Sequence, residues 1–339
     1  MQQTRKPILV LGAGSWGTAL ALLLNRNGNN VRLWSYDKRQ AEMINTIHEN
    51  PSYLPGIAIP VGIHVSSNLE SLMDDIDDIL LVVPSVAFLN TLKLIKAIRP
   101  TGLRIAWGTK GIDPESHRLL GDVVSDYYGQ ETPMAIISGP SFAKEVALAL
   151  PTAVSIAGNN ESFNNDLILR MHSTMFRVYH NPDFIGVELC GVVKNILAIA
   201  VGISDGIGFG ANARSALMTR GLAEMRRLCL ALGGQEQTLM SLAGVGDLIL
   251  TCTDDQSRNR RFGYALGRER NIETAKHEIG QAIEGYANSK QLYYLARHHD
   301  IDMPIVDCLY QILYEDADIR EQAYLLMGRD SRDEIDGDL

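Results

Sequence analysis

Ile8-Leu9-Val10-Leu11-Gly12-Ala13-Gly14-Ser15-Trp16-Gly17 is the stretch that decides the fold. Four consecutive apolar residues after Pro7 read as a short strand buried on both faces, as in a parallel sheet covered by helices. The glycines that follow have the spacing G-x-G-x-x-G, and Ser15 opens a helical pattern that runs to about Asn27, with Gly28 as its stop. Between a strand and a helix each glycine has a mechanical task. The first allows a tight turn, the second lets a ligand approach the backbone, and the third lets helix and strand pack closely. The helix N-terminus then presents free N–H groups and a positive dipole end to phosphate. Taken alone, these glycines could form an unliganded turn. Their setting makes them a dinucleotide-binding candidate.

Working outward, Val31–Trp34 reads as a second strand, and residues 78–84, 103–107, 135–138 and 153–157 as further strands. Helical patterns lie between them at 37–49, 86–98 and 142–148, and residues 50–62 read as a Pro- and Gly-rich loop. This alternation predicts an α/β domain with a largely parallel sheet of the Rossmann type. The texture changes near Pro182. From there to Met327 apolar residues recur at intervals of 3, 4 and 7, over 186–204, 213–232, 258–268, 281–298 and 304–313. An all-helical C-terminal domain is therefore expected, with residues 1–185 as the dinucleotide-binding domain and 186–339 as the substrate-binding and dimerisation domain. Residues 330–339 are acidic and polar and read as a frayed tail.

The totals agree with two cores: 339 residues, 46% of them hydrophobic. The net charge of -9 argues against nucleic acid as a partner. A small anionic substrate stays compatible, because a few local cations outweigh a distant acidic surface. The four cysteines have no CxxC spacing and read as small buried hydrophobes in a reduced compartment. No uncharged apolar run reaches the roughly 18 residues of a membrane span, and the first residues lack a signal-peptide pattern. No membrane insertion and a cytoplasmic location are expected.

The choice between NAD and NADP stays open. The second strand ends Leu33-Trp34-Ser35-Tyr36-Asp37, so Asp37 has about the spacing of an acid that holds the NAD ribose, yet lies beyond the strand. Lys38 and Arg39 follow it and suit a 2′-phosphate. Tyr36 reads either as an adenine-stacking residue or as a plain surface tyrosine.

Four further stretches follow the fingerprint in order: Gly108-Thr109-Lys110-Gly111, Ser138-Gly139-Pro140-Ser141-Phe142-Ala143-Lys144-Glu145, Glu188-Leu189-Cys190-Gly191-Val192-Val193-Lys194-Asn195 and Ser257-Arg258-Asn259. Together with Ala243-Gly244-Val245-Gly246-Asp247-Leu248 and Glu284-Gly285, they resemble bacterial glycerol-3-phosphate dehydrogenases from about Ile8 to about Leu326. The resemblance implies reversible reduction of dihydroxyacetone phosphate to sn-glycerol 3-phosphate for glycerophospholipid synthesis, by a cytoplasmic homodimer using NAD(P)H and no metal. It implies Lys194 as general acid and base, with Lys110 and Asp247 beside it. Gly12, Gly14, Ser15, Trp16, Gly17, Tyr36, Lys110, Ala143, Arg258, Ala282 and Glu284 become cofactor contacts. Lys110, Gly139, Ser141, Lys194, Asp247, Ser257, Arg258 and Asn259 become substrate contacts. The family often has valine near Ala282 and Ile283.

Read by themselves, these residues allow both functional and plain structural roles. In a helix, Lys194 has Val187, Cys190, Gly191, Leu197, Ala198 and Val201 around it. Such a face desolvates an ammonium and lowers its pKa, which suits acid–base work; the plainer alternative is a lysine that snorkels to solvent. Lys110 follows a strand at its carboxyl end, where ligands bind in open α/β sheets. Ser141 and Ser257 read as helix N-caps, with Glu145 near a capping-box position. Arg258 in a first helical turn suits a phosphate. Asp247, in an apolar stretch, needs a partner: a substrate hydroxyl or Lys194. The competing readings are another Rossmann dehydrogenase of a small phosphorylated hydroxy compound, and a non-catalytic nucleotide sensor. A sensor should have lost Lys194 or Asp247.

Overall fold

The computed structural model describes residues 6–269 and 271–327, so the acidic stretch at 330–339 lies outside the described residues. They form two compact units. One comprises the described residues up to Thr109 together with Leu120–Phe184; the other comprises Lys110–Leu119 and the residues from Ile185 onward.

The first unit is built on β1 (Ile8–Leu11), β2 (Val31–Trp34), β3 (Glu49–Asn50), β4 (Leu54–Ala58), β5 (Ile63–Ser66), β6 (Asp78–Leu81), β7 (Arg104–Trp107), β8 (Met134–Ser138), β9 (Thr152–Gly158) and β10 (Phe176–His180). Eight of these make one sheet in the order β5-β2-β1-β6-β7-β8-β9-β10, while β3 and β4 pair as a separate hairpin. Neighbours run parallel except β8 and β9. The first six sheet strands thus follow the Rossmann order 3-2-1-4-5-6, and the order reverses between β1 and β6, where such sheets bind ligands. Ile8, Leu9, Val10 and Leu11 are all fully buried, because helices cover both faces. Those helices are α1 (Ser15–Arg26), α2 (Lys38–Ile47), α3 (Leu69–Leu72), α4 (Ser85–Ile98), α5 (Leu120–Tyr128), α6 (Ala143–Ala147) and α7 (Glu161–Met171).

Two sequence expectations need correction. The stretch 50–62, read as a loop, contains β4 and one end of β3. The strands β5 and β10, which the sequence reading missed, are the two edges of the sheet. Each alternates buried and solvated residues and so lacks the continuous apolar run of an interior strand.

The second unit is helical: α8 (Phe184–Gly206), α9 (Gly210–Ala231), α10 (Glu236–Leu239), α11 (Asp247–Thr253), α12 (Arg258–Glu269), α13 (Ile272–Ile279), α14 (Glu284–His298), α15 (Pro304–Tyr314) and α16 (Ile319–Met327). Its core forms around α8, which is apolar on nearly every side and buried along most of its length. By length and composition α8 could cross a membrane, but 83% of its most apolar window is covered by protein.

Glycines let α12 lie directly on α8. A Cβ on Gly263 would sit 2.1 Å from the Ile199 carbonyl oxygen, and one on Gly202 would sit 2.2 Å from that of Arg260. Both obstacles are backbone, so neither can rotate away. Gly263→Ala is therefore expected to destabilise the helical unit by about 1–3 kcal/mol. Chemical denaturation followed by far-ultraviolet circular dichroism checks this, and an unchanged midpoint would mean that the helices have room to separate.

Candidate active site

The loop between β1 and α1 has the geometry that the glycine spacing requires. Gly12 has φ +117°, and a Cβ there would meet the Val82 carbonyl oxygen at 2.6 Å. A Cβ on Gly17 would lie 1.9 Å from the Gly12 carbonyl oxygen. Gly14 differs: it is the N-cap of α1, makes no side-chain cap, and has nothing within 4 Å of the Cβ position. Open space over an uncapped helix N-terminus fits a dinucleotide pyrophosphate. The loop is held from outside. Asn50 Nδ2 and Gln40 Nε2 both donate to the Ala13 carbonyl, at 2.8 and 2.7 Å, and Ser15 Oγ donates to the Tyr53 carbonyl at 2.6 Å. The Trp16 indole lies against Gly108, where a Cβ would sit 2.8 Å from Nε1.

At the end of β2, Tyr36 is exposed and meets Trp34 edge-on at 6.2 Å. Asp37 caps α2, its Oδ1 accepting from the Arg39 N–H at 2.8 Å. Gly139 has φ +145°, and a Cβ there would lie 2.9 Å from Val154 Cα. Ser141 is not the cap that its sequence suggested. The helix starts later, at half-buried Ala143 with Phe142 in the cap position, and Ser141 Oγ instead donates to the Gly139 carbonyl at 2.9 Å.

The second unit holds the charged residues. Lys110 belongs to it although it follows β7 by only three residues. Asp247 is the first residue of α11, where the helix N-terminus favours a carboxylate. The preceding segment Leu242–Gly246 turns sharply at Gly244, where a Cβ would lie 2.3 Å from the Leu239 carbonyl oxygen. Asp247 is 1% exposed; its Oδ2 accepts from Lys110 Nζ at 2.7 Å and its Oδ1 from Lys194 Nζ at 2.8 Å. Burial alone would raise the Asp247 pKa, but the two ammonium groups outweigh it and hold the carboxyl below its usual range.

Lys194 does not snorkel: it is 7% exposed in the middle of α8. It also donates to Thr251 Oγ1 at 2.9 Å, while Thr251 donates to the Asp247 carbonyl at 2.6 Å. Two of the three ammonium N–H directions are thus taken by Asp247 and Thr251. Desolvation pulls the Lys194 pKa down to about 8, with Asp247 opposing the shift and Lys110 adding to it. Thr251 was missed in the sequence. Its signal was the i,i+4 spacing from Asp247, which puts both on one helix face.

At the start of α12, Ser257 is buried and its Oγ accepts from the Arg260 N–H at 3.2 Å, as the capping expectation required. Arg258 Nη1 donates to Gln281 Oε1 at 3.3 Å. Asn259 donates to Asn195 Oδ1 and accepts from the Gly285 N–H, both at 2.9 Å, so its amide ties α12 to α8 and α14. Ala282 is exposed, and Glu284 heads α14 with Oε2 accepting from Asn288 Nδ2 at 3.1 Å. The fingerprint residues, Tyr36, Gly139, Ser141 and Ala143 lie in the first unit. Lys110, Lys194, Asp247, Ser257, Arg258, Asn259, Ala282 and Glu284 lie in the second.

Comparison with known proteins covers almost the whole chain. Residues 7–164 match the family model of the NAD-dependent glycerol-3-phosphate dehydrogenase N-terminus, and residues 183–323 match that of the C-terminus. The chain is 50% identical over 330 residues to the glycerol-3-phosphate dehydrogenase [NAD(P)+] of Vibrio cholerae, covering 96% of each protein. Its fold superposes on the crystal structure of the glycerol-3-phosphate dehydrogenase of Coxiella burnetii with a TM-score of 0.94 at 52% identity, covering 96% of this chain and all of that one. A Plasmodium falciparum glycerol-3-phosphate dehydrogenase structure gives a TM-score of 0.85 at 25% identity, over 97% of each chain. With family matches to both halves and relatives at half identity over nearly its full length, the chain belongs to the NAD-dependent glycerol-3-phosphate dehydrogenase family.

Proposed function

We propose that the chain interconverts dihydroxyacetone phosphate and sn-glycerol 3-phosphate with NAD(P)H, and that Lys194 is its general acid and base. The observation that carries this reading is the buried series Lys110–Asp247–Lys194, in which one carboxylate holds two ammonium groups at 2.7 and 2.8 Å. A bound reduced nicotinamide supplies the hydride. Lys194 gives its proton to the ketone oxygen in reduction and takes it back from the alcohol in oxidation. A pKa near 8 serves both directions close to neutral pH. Asp247 and Thr251 fix the direction of the remaining N–H of Lys194. Lys110 supplies a second positive charge that stabilises negative charge developing on the substrate oxygen.

The start of α12, with Ser257 and Arg258, receives the substrate phosphate. The reading extends to a cytoplasmic homodimer whose product serves glycerophospholipid synthesis. Arg258→Ala tests the phosphate assignment. It is expected to raise KM for dihydroxyacetone phosphate by about tenfold or more, as for loss of a hydrogen bond to a charged group, and to change the rate with unphosphorylated dihydroxyacetone much less. If dihydroxyacetone phosphate bound the variant as tightly as the parent, the phosphate would have to sit elsewhere.

A further inference from the structure

Lys110 and Glu284 come from segments far apart in sequence, and one buried amide joins them. The segment Lys110–Leu119 is folded on itself by an isolated bridge between Ile112 and Leu119 and by a turn around Asp113, whose Oδ2 accepts from the Ser116 N–H at 2.8 Å. Beside the ring contact of His117 with Tyr294 at 5.0 Å, a hydrogen bond ties it to α14: the Ile112 N–H donates to Asn288 Oδ1 at 2.8 Å. Asn288 is 1% exposed. Its Nδ2 donates to the Glu284 carbonyl at 2.8 Å and to Glu284 Oε2 at 3.1 Å. These partners fix the orientation of the amide, because its oxygen must face a donor and its nitrogen must face acceptors. Lys110 lies two residues before Ile112, and its Nζ rests on Asp247 Oδ2 at 2.7 Å.

We infer that Asn288 is a positioning residue for the reaction, holding the Lys110 backbone and the Glu284 carboxylate in one fixed arrangement; the inference rests on the proposed roles of those two residues. Placement errors of about 1 Å at a catalytic group cost rate steeply. A buried amide with both N–H groups donating and its oxygen accepting keeps such errors small, since a shift would leave a polar group unsatisfied.

The amide chemistry separates two effects. Asn288→Ala removes both tethers. Asn288→Asp keeps an oxygen for the Ile112 N–H, but loses the donors and sets a second carboxylate beside Glu284. The test measures kcat and both KM values for the full chain, with thermal melting alongside, for Asn288→Ala, Asn288→Asp, Lys110→Ala and the double variant of Asn288→Ala with Lys110→Ala.

Asn288→Ala is expected to lower kcat/KM for dihydroxyacetone phosphate by about tenfold or more while still melting cooperatively. At saturating reduced nicotinamide, where the Glu284 tether ceases to count, the same change made on top of Lys110→Ala is expected to have little further effect on that ratio, because there the residue acts through Lys110. Asn288→Asp is expected to raise KM for the reduced nicotinamide severalfold and to change KM for dihydroxyacetone phosphate much less. Full activity of Asn288→Ala would overturn the inference. So would an equal loss from Asn288→Ala in the presence and absence of Lys110, or failure of both single Asn288 variants to fold, since each marks a residue of the helical core and nothing more. If Lys110→Ala itself kept the parent rate, the proposed role of Lys110 would be what fails.

Discussion

Lys194→Ala is expected to lower turnover by about 10²-fold or more while leaving reduced-nicotinamide binding nearly unchanged. The size follows from what is removed. In the proposed mechanism Lys194 is the proton donor in reduction, and Asp247 and Thr251, the groups to which it donates, cannot replace it as an acid near neutral pH. The nucleotide loop lies in the other unit and keeps its own supports, Asn50 and Gln40 on the Ala13 carbonyl. The parent enzyme should show the matching pH signature. Reduction needs the ammonium form, so its rate should decline as pH rises through about 8; oxidation needs the free amine, so its rate should rise over the same interval. Both limbs should vanish in the variant. Unchanged turnover would remove Lys194 from the mechanism.

Asp247→Asn should do comparable damage by a different route. The carboxylate has one oxygen for each lysine. An amide of the same shape has one acceptor and one donor group, so one ammonium would face N–H bonds. Without the counter-charge, burial and mutual repulsion should depress the Lys194 pKa below its present value near 8. The reduction limb should then move to lower pH, with a turnover loss of about 10²-fold at neutral pH.

Stability should fall as well, by about 3–5 kcal/mol where the lysines remain charged, as for a buried ion pair that has lost one partner. The sign with pH follows from proton counting. A lysine whose folded pKa is depressed binds fewer protons folded than unfolded, so stability rises with pH between that folded value and the unfolded value of about 10.4. The variant should therefore regain stability on titration towards pH 10, with the gain starting at lower pH than in the parent. Equal melting temperatures for parent and variant at pH 6 would contradict this account of Asp247.

Much of this was legible in the sequence where a residue has only one physical use. Gly12 and Gly17 could be read because a backbone oxygen occupies the space of a Cβ at each position. Interior strands such as Ile8–Leu11 announced themselves by unbroken apolar runs. The edge strands Ile63–Ser66 and Phe176–His180 did not, because half of each faces water. Lys194 was ambiguous alone, since an apolar helical face suits both a snorkelling and a buried lysine; the resemblance to a family pointed to the latter.

Other features depended on tertiary structure that local pattern does not encode. Lys110 follows a sheet strand, yet its segment packs with the helices through Ile112 and Leu119. Ser141 has the composition of a cap, but the five-residue helix starts two residues later. The Asn259 amide bonds to Asn195 and Gly285, 64 and 26 positions away, and the Asn288 oxygen accepts from Ile112, 176 positions away, relations that no local period reveals.

The central claim is tested most directly by the absorbance of the reduced nicotinamide, followed with purified protein and dihydroxyacetone phosphate, NADH and NADPH being tried in parallel. Loss of absorbance that depends on dihydroxyacetone phosphate, with sn-glycerol 3-phosphate accumulating in equal amount, is the predicted result, and the ratio of the two rates gives the cofactor preference. No loss with either cofactor, from folded protein that still binds the nucleotide, would contradict the assignment of this substrate to the Lys110–Asp247–Lys194 site.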